Sequence, residues 1–169
     1  MMRTNRRIAV ALAATVLAGA AGAGAAQASP ATRGNAVPSA CRPANHTAEI
    51  TEAPGSAGHR HYRVTLTAPR GYEPCELAGS PTDVRFSAHG SDSGITAGRY
   101  GNQTTVVTFG PGHPVHFDIQ VPSSRRGIPA DEASFTLRAP DGQIPGTSFA
   151  EGSLKVATGT LVGPVRRGA

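Results

Sequence analysis

Val115-His116-Phe117-Asp118-Ile119-Gln120-Val121 is the most regular stretch of this chain, and its alternation decides the fold. Successive side chains of an extended strand point to opposite faces. Val115, Phe117, Ile119 and Val121 therefore share a buried side, while His116, Asp118 and Gln120 face water or a partner. The same period recurs outward in both directions. Tyr62, Val64 and Leu66 alternate with His61, Arg63, Thr65 and Thr67, and Val84 and Phe86 alternate with Arg85 and Ser87. Downstream, Phe135 and Leu137 alternate with Thr136 and Arg138, and Leu154 and Val156 flank Lys155. Weaker runs lie at residues 47–51 and 104–109. Turn chemistry separates them: Pro54-Gly55, Pro69-Arg70-Gly71, Gly79-Ser80-Pro81, Gly110-Pro111-Gly112 and Asp141-Gly142. The pattern amounts to about seven short strands. Strands with one apolar face bury it by packing two sheets against each other. The expected architecture is all-β, an immunoglobulin-like β-sandwich of about seven antiparallel strands. It lacks that fold's buried tryptophan, since the chain has no Trp.

The first 28 residues read differently. Arg3, Arg6 and Arg7 precede an apolar run from Ile8 to Ala26, and Ala26-Gln27-Ala28 offers small residues where a signal peptidase reads them. The run is Ala/Gly-rich, which makes a poor membrane-spanning helix. Arg6-Arg7 is a weak twin-arginine signal, because Ile8-Ala9-Val10 follows it. The expected organisation is a signal peptide at 1–28, a disordered leader at 29–40, a β-sandwich domain at 41–165 and a flexible tail at 166–169. The expected product is secreted and monomeric, with no stable membrane insertion.

Export governs how the rest is read. The formal charge of +5 falls to +2 once the three leader arginines are removed. So small a balance argues against nucleic acid as a partner. Arg125-Arg126 and Arg166-Arg167 read as solvated charge. Arginine replaces lysine almost everywhere, Lys155 being the sole lysine, a mark of a GC-rich genome. The two cysteines, Cys41 and Cys75, are expected to pair, as exported cysteines do. The bridge falls outside the inter-sheet core, because Cys75 sits in turn-rich Gly71-Tyr72-Glu73-Pro74-Cys75. Metal-bound cysteines are the lesser reading, since CxxC is absent.

Three segments carry a family likeness. Cys41 opens the domain. Val64-Thr65-Leu66-Thr67 then leads through a turn to Pro74-Cys75-Glu76-Leu77-Ala78-Gly79-Ser80-Pro81 and a strand at Val84 to Phe86. Last come Val107-Thr108-Phe109-Gly110-Pro111-Gly112 with an alternating strand, and Phe135-Thr136-Leu137-Arg138-Ala139-Pro140. This order resembles a family of exported proteins common in actinobacteria, domain of unknown function 4232, whose signature is C-x-L-x-G-x-P. The chain departs from it at Ser80, where the family often has an aromatic, and around Ala68-Pro69, where a turn asparagine is replaced. The resemblance implies a β-sandwich and brings no activity, so no catalytic residue transfers.

Candidate chemistry is sparse. Asp92-Ser93-Gly94 is similar to the nucleophile segment of trypsin-like proteases, but Gly90-Ser91-Asp92-Ser93-Gly94 has the composition of a turn. G-x-S-x-G, HExxH and P-loop motifs are absent. The acidic pairs Asp131-Glu132 and Glu73 with Glu76 are expected in loops, without the cleft a glycosidase needs. Among the six histidines, His59 and His61 point the same way on a strand, and His113 and His116 flank another. His59, His61 and His116 are thus candidate ligands for Cu(II) or Zn(II), although surface histidine on a polar face is the better account of them. No enzyme activity and no cofactor is expected. The favoured role is a noncatalytic binding or surface-interaction module for a protein or cell-wall ligand. The alternative is a small extracytoplasmic metal-binding protein or enzyme. A third reading, a secreted protease inhibitor, rests on a weak likeness to the subtilisin-inhibitor type at Val64-Thr65-Leu66-Thr67. This chain lacks that type's two disulfides and its cysteine-anchored reactive loop.

Overall fold

A computed structural model describes residues 37–169. The signal peptide, its cleavage site and residues 29–36 of the expected leader lie outside the described residues. From Val37 onward the chain is all-β, with one 3-10 turn at Pro43–Asn45. The strands are β1 (Thr47–Ser56), β2 (His59–Thr67), β3 (Cys75–Ala78), β4 (Thr82–Ala88), β5 (Ser91–Thr96), β6 (Gly98–Arg99) and β7 (Val106–Phe109). They continue with β8 (Val115–Pro122), β9 (Ile128–Thr136), β10 (Arg138–Ala139), β11 (Gly142–Gln143), β12 (Ser148–Val156), β13 (Leu161–Val162) and β14 (Arg166–Arg167). Every strong alternation in the sequence lies on a strand except that of Phe135 to Arg138, where β9 ends at Thr136 and Leu137 falls between β9 and β10. The additional strands are mostly two-residue pieces, too short to show a period.

The alternation sorts burial as it should. Val115, Phe117, Ile119 and Val121 are all completely buried, as are Val64, Leu66 and Phe135. The main sheet runs β5-β4-β9-β12-β1-β2-β8-β13-β6, with β14 also on β8. Its run β5-β4-β9-β12 is antiparallel throughout, and so is β1-β2-β8-β13. A single parallel pairing, Glu49 with Glu151, joins the two runs. Gly152 permits it: φ is +147°, and a Cβ there would run into the Ile50 carbonyl. The runs meet through their apolar faces. Phe117 of β8 and Phe135 of β9, which share no ladder, stack edge-to-face with ring centres 5.1 Å apart.

Several expectations need correction. The leader does not extend to residue 40. Ala40 is fully buried, its N–H donates to the Glu73 carbonyl at 2.9 Å, and Glu73 N–H donates to the Pro38 carbonyl at 3.1 Å. Nor are residues 166–169 a free tail. Arg166 and Arg167 pair with His116 and Val115, and Gly168 N–H donates to the Pro114 carbonyl at 3.0 Å. A tail of charged and small residues gives no periodic signal, but its backbone satisfies the open side of β8. His116 is consequently buried, with Nδ1–H donating to the Gly168 carbonyl at 3.0 Å. Asp118 is bonded to Arg63 at 3.4 Å. The polar side of β8 is largely occupied.

The segment Asp92-Ser93-Gly94 lies inside β5. The turn is His89-Gly90, with both residues at positive φ, 49° and 77°, which matches the hairpin twist. Asp131 and Glu132 also belong to a strand, β9. Asp131 accepts from the His89 N–H, and Glu132 from the Ser87 hydroxyl at 2.9 Å.

Candidate functional site

The cysteine-centred motif is spent on folding. Cys75 bonds Cys41 with Cα atoms 6.0 Å apart. Cys41 is buried within the core cluster, so the bridge is less peripheral than the sequence implied. Leu77 is fully buried. Gly79 sits at φ +68°, and a side chain there would strike the Gln103 carbonyl, 2.6 Å from the Cβ position, so both features call for glycine. Ser80 is fully buried, and its hydroxyl donates to the Val162 carbonyl at 3.1 Å. Its N–H donates to Gln103 Oε1 at 2.9 Å. Cys75, Leu77, Gly79 and Ser80 are thus explained by the bond, pocket or backbone angle each supplies.

The bridge borders a groove of about 1020 Å³. One wall comes from Cys41 to Ala44, another from β3 through Glu76, and a third from the β10–β11 turn with Ile144 and Pro145. No aromatic side chain lines it. Arg42 stands on one side, with Glu76 and Asp141 on the others. The walls are braced from behind. Asn45 Nδ2 donates to the Ser39 carbonyl at 2.7 Å, and Ile144 N–H donates to the Leu137 carbonyl at 2.9 Å. His46 ties the Cys41 wall to the segment that follows Thr147. Its Nδ1 lies 2.9 Å from the Ala40 carbonyl and its Nε2 lies 3.0 Å from Ser148 Oγ. A carbonyl only accepts, so Nδ1 carries the proton and neutral Nε2 accepts from the serine hydroxyl. The ring packs edge-on against Phe109 at 5.6 Å. Burial holds this imidazole below the ordinary histidine range, while the Ala40 and Arg42 carbonyls pull the other way.

The candidate metal ligands fall elsewhere. His59 and His61 are neighbours, with ring centres 6.4 Å apart, and His61 Nε2 is bonded to Ser56 Oγ at 2.8 Å. His116 is far along the ladder. It pairs with Thr65, whereas His59 pairs with Pro122, a strand displacement of roughly 20 Å. His113 closes a tight turn with Gly110. Among the described residues no three His, Cys, Asp or Glu side chains gather as a metal site. Sequence reasoning missed His46, because a lone histidine outside a spaced pair carries no signal. It also missed Arg60, although a signal was there: Arg60 heads the apolar face of Tyr62, Val64 and Leu66 by the same period of two.

This is an all-β domain stapled at one end beside an apolar groove. The model of a domain of unknown function, DUF4232, matches residues 41–165, and the chain belongs to that family. No curated protein and no solved structure matches it. Among the described residues no helix is long and apolar enough to cross a membrane.

Proposed function

We propose that this chain is an exported, noncatalytic binding module, monomeric, which takes a segment of an extracellular protein into the groove beside the disulfide. The groove carries the reading. Its lining is mostly apolar and includes one cation and two carboxylates, Arg42, Glu76 and Asp141, which suits a polypeptide with an apolar anchor and flanking charges. Sugar recognition leans on aromatic platforms, which this lining lacks. The covalent bridge and the His46 tie hold the walls in place before binding, which lowers the ordering cost of association. The noncatalytic reading is supported by Cys75 and Ser80 of the motif being committed to bonds within the fold. Export is supported by the N-terminal signal pattern and by the disulfide. An immunoglobulin-like sandwich is supported by two antiparallel runs that meet at one parallel pair and face each other through Phe117 and Phe135.

A photoreactive residue at Ile144, with the exported protein left on its host cells, tests the site. The expected result is a crosslink to a protein, lost when Ala44→Glu fills the groove. Crosslinks only to cell-wall fragments, or ones indifferent to Ala44→Glu, would overturn it. N-terminal sequencing beginning at Ser29 checks the export step.

A further inference from the structure

The opposite end of β1, β2 and β12 holds the only buried side-chain nitrogens or oxygens without a hydrogen-bond partner among the described residues: Arg60 Nε and Nη2. Period two puts Arg60 on the core face of β2, in register with fully buried Val121. A guanidinium there loses water on that edge, and no protein acceptor replaces it. Buried polar groups are nearly always paired, so an exception calls for a physical reason. No carboxylate lies within ion-pair distance of Arg60 among the described residues.

The surroundings suggest what completes it. Arg60 lines a cavity of about 390 Å³ with Glu52, Tyr62, Ser153 and Lys155. Tyr62 Oη accepts the Lys155 backbone N–H at 3.0 Å, which leaves the phenolic proton free to donate. The cavity therefore gathers two cations and two hydroxyl donors. Nε and Nη2 form the side of a guanidinium that forks onto two oxygens of a carboxylate or phosphate. Over that side lies the loop between β8 and β9. At Gly127 a Cβ would stand 3.0 Å from Arg60 Nη2 and 2.8 Å from Lys155 Cβ. Exposed Arg125 and Arg126 belong to the same loop and add to the positive field. Glu52 is the opposing group. It pairs with Tyr62 across the β1–β2 ladder, one diagonal step from Arg60.

We infer that Arg60 is the anchor of an oxyanion site, taking a carboxylate or a phosphate group through its Nε/Nη2 edge, with Lys155 and the two hydroxyls as secondary donors. Entry requires the Ser123–Gly127 loop to lift or the Arg60 side chain to swing into the cavity. Glu52 competes for the same cation and limits affinity.

Titration of the purified protein at low salt with sodium phosphate, glycerol 3-phosphate and sodium acetate, followed by NMR at the Arg60 Nε–H and the Gly127 amide, tests this. Saturable shifts at both signals are expected, and the three probes separate a free phosphate, a phosphate ester and a carboxylate. Arg60→Lys keeps a cation but loses the fork, so binding should weaken roughly tenfold; Arg60→Met should abolish it. Glu52→Gln should tighten binding, which a merely structural arginine does not predict. If Arg60→Met fails to fold, the Lys and Gln variants still decide. No shift with any probe, or equal affinity across the variants, would overturn the site.

Discussion

The two ends of the β1–β2–β12 strands handle polar groups in opposite ways. At the disulfide end, His46, Ser148 and Asn45 all have partners, and the walls they brace are joined by a covalent bond. At the Arg60 end, one edge of a charged group is buried with no partner, beneath a glycine that lets the loop sit close. A satisfied, stapled end keeps one shape and can present a preorganised surface. An unsatisfied end holds bonding capacity in reserve and is stabilised by whatever supplies the missing acceptor. The two sites proposed on this sheet therefore differ in kind, one resting on shape and the other on charge.

The largest effect should come from the middle of the sheet, where neither end dominates. Phe117→Ala should destabilise the protein by about 3–5 kcal/mol in denaturant unfolding, since it empties a fully buried ring site packed on Phe135. Both ends should weaken together. If only one end loses amide-exchange protection, the domain is not a single cooperative unit and the comparison must be recast as two local stabilities.

Next in size is the staple. Cys75→Ser opens a loop with a sequence separation of 34, which should cost about 2–4 kcal/mol. Protection should fall most around Cys41 to Ala44 and the β10–β11 turn, with Gly127 losing no more than the global stability does. A larger loss at Gly127 than beside the bridge would show that the staple does not act chiefly on its own end. Free-thiol titration of the native protein should find none.

How far all this was legible follows from what each residue type announces. Val115 to Val121 announced itself because half-buried strands must alternate, and all four apolar positions proved fully buried. The strand β14 did not, since Arg166-Arg167-Gly168 pairs only through backbone groups that every residue possesses. Parity alone puts His116 on an open face, which is right for the strand and blind to the C-terminal residues that cover it. The groove was illegible because its walls come from three separate segments, brought together by a bond whose partners could be counted but whose surroundings could not. Arg60 was legible in principle. A charge at the head of an apolar alternation is the exception the period exposes, and it is where the structure leaves an unmet donor.

A smaller change is expected at that position. Arg60→Met keeps the apolar stem and removes the buried unpaired edge, so stability in anion-free buffer should rise by about 1 kcal/mol. Phosphate should stabilise the wild type and not the variant. A fall in stability instead would mean that the guanidinium already has its acceptor, and the contrast between the two ends would disappear.

The smallest effect expected is a pH dependence confined to the disulfide end. Burial lowers the His46 pKa in the folded protein, so between the folded and unfolded values the unfolded chain binds more protons. Stability therefore rises with pH across that interval. The His46 contribution is complete above the ordinary imidazole value of about 6.5 and is lost as pH falls through the folded value. Protonation also changes the bonding. Nε2 stops accepting from the Ser148 hydroxyl and must donate to it, while Nδ1–H keeps the Ala40 carbonyl. The hydroxyl can rotate to accept, so the tie between the walls loosens without breaking, which is why the effect is modest. Thermal unfolding of the wild type and His46→Gln between neutral and mildly acidic pH isolates it: the wild type should lose more stability on acidification than the variant. NMR should place the first changes at Ala40 and Ser148, with Gly127 unmoved. Parallel pH profiles would show that His46 titrates as it does in the unfolded chain, and burial of its ring would then have no part in the acid response of the groove walls.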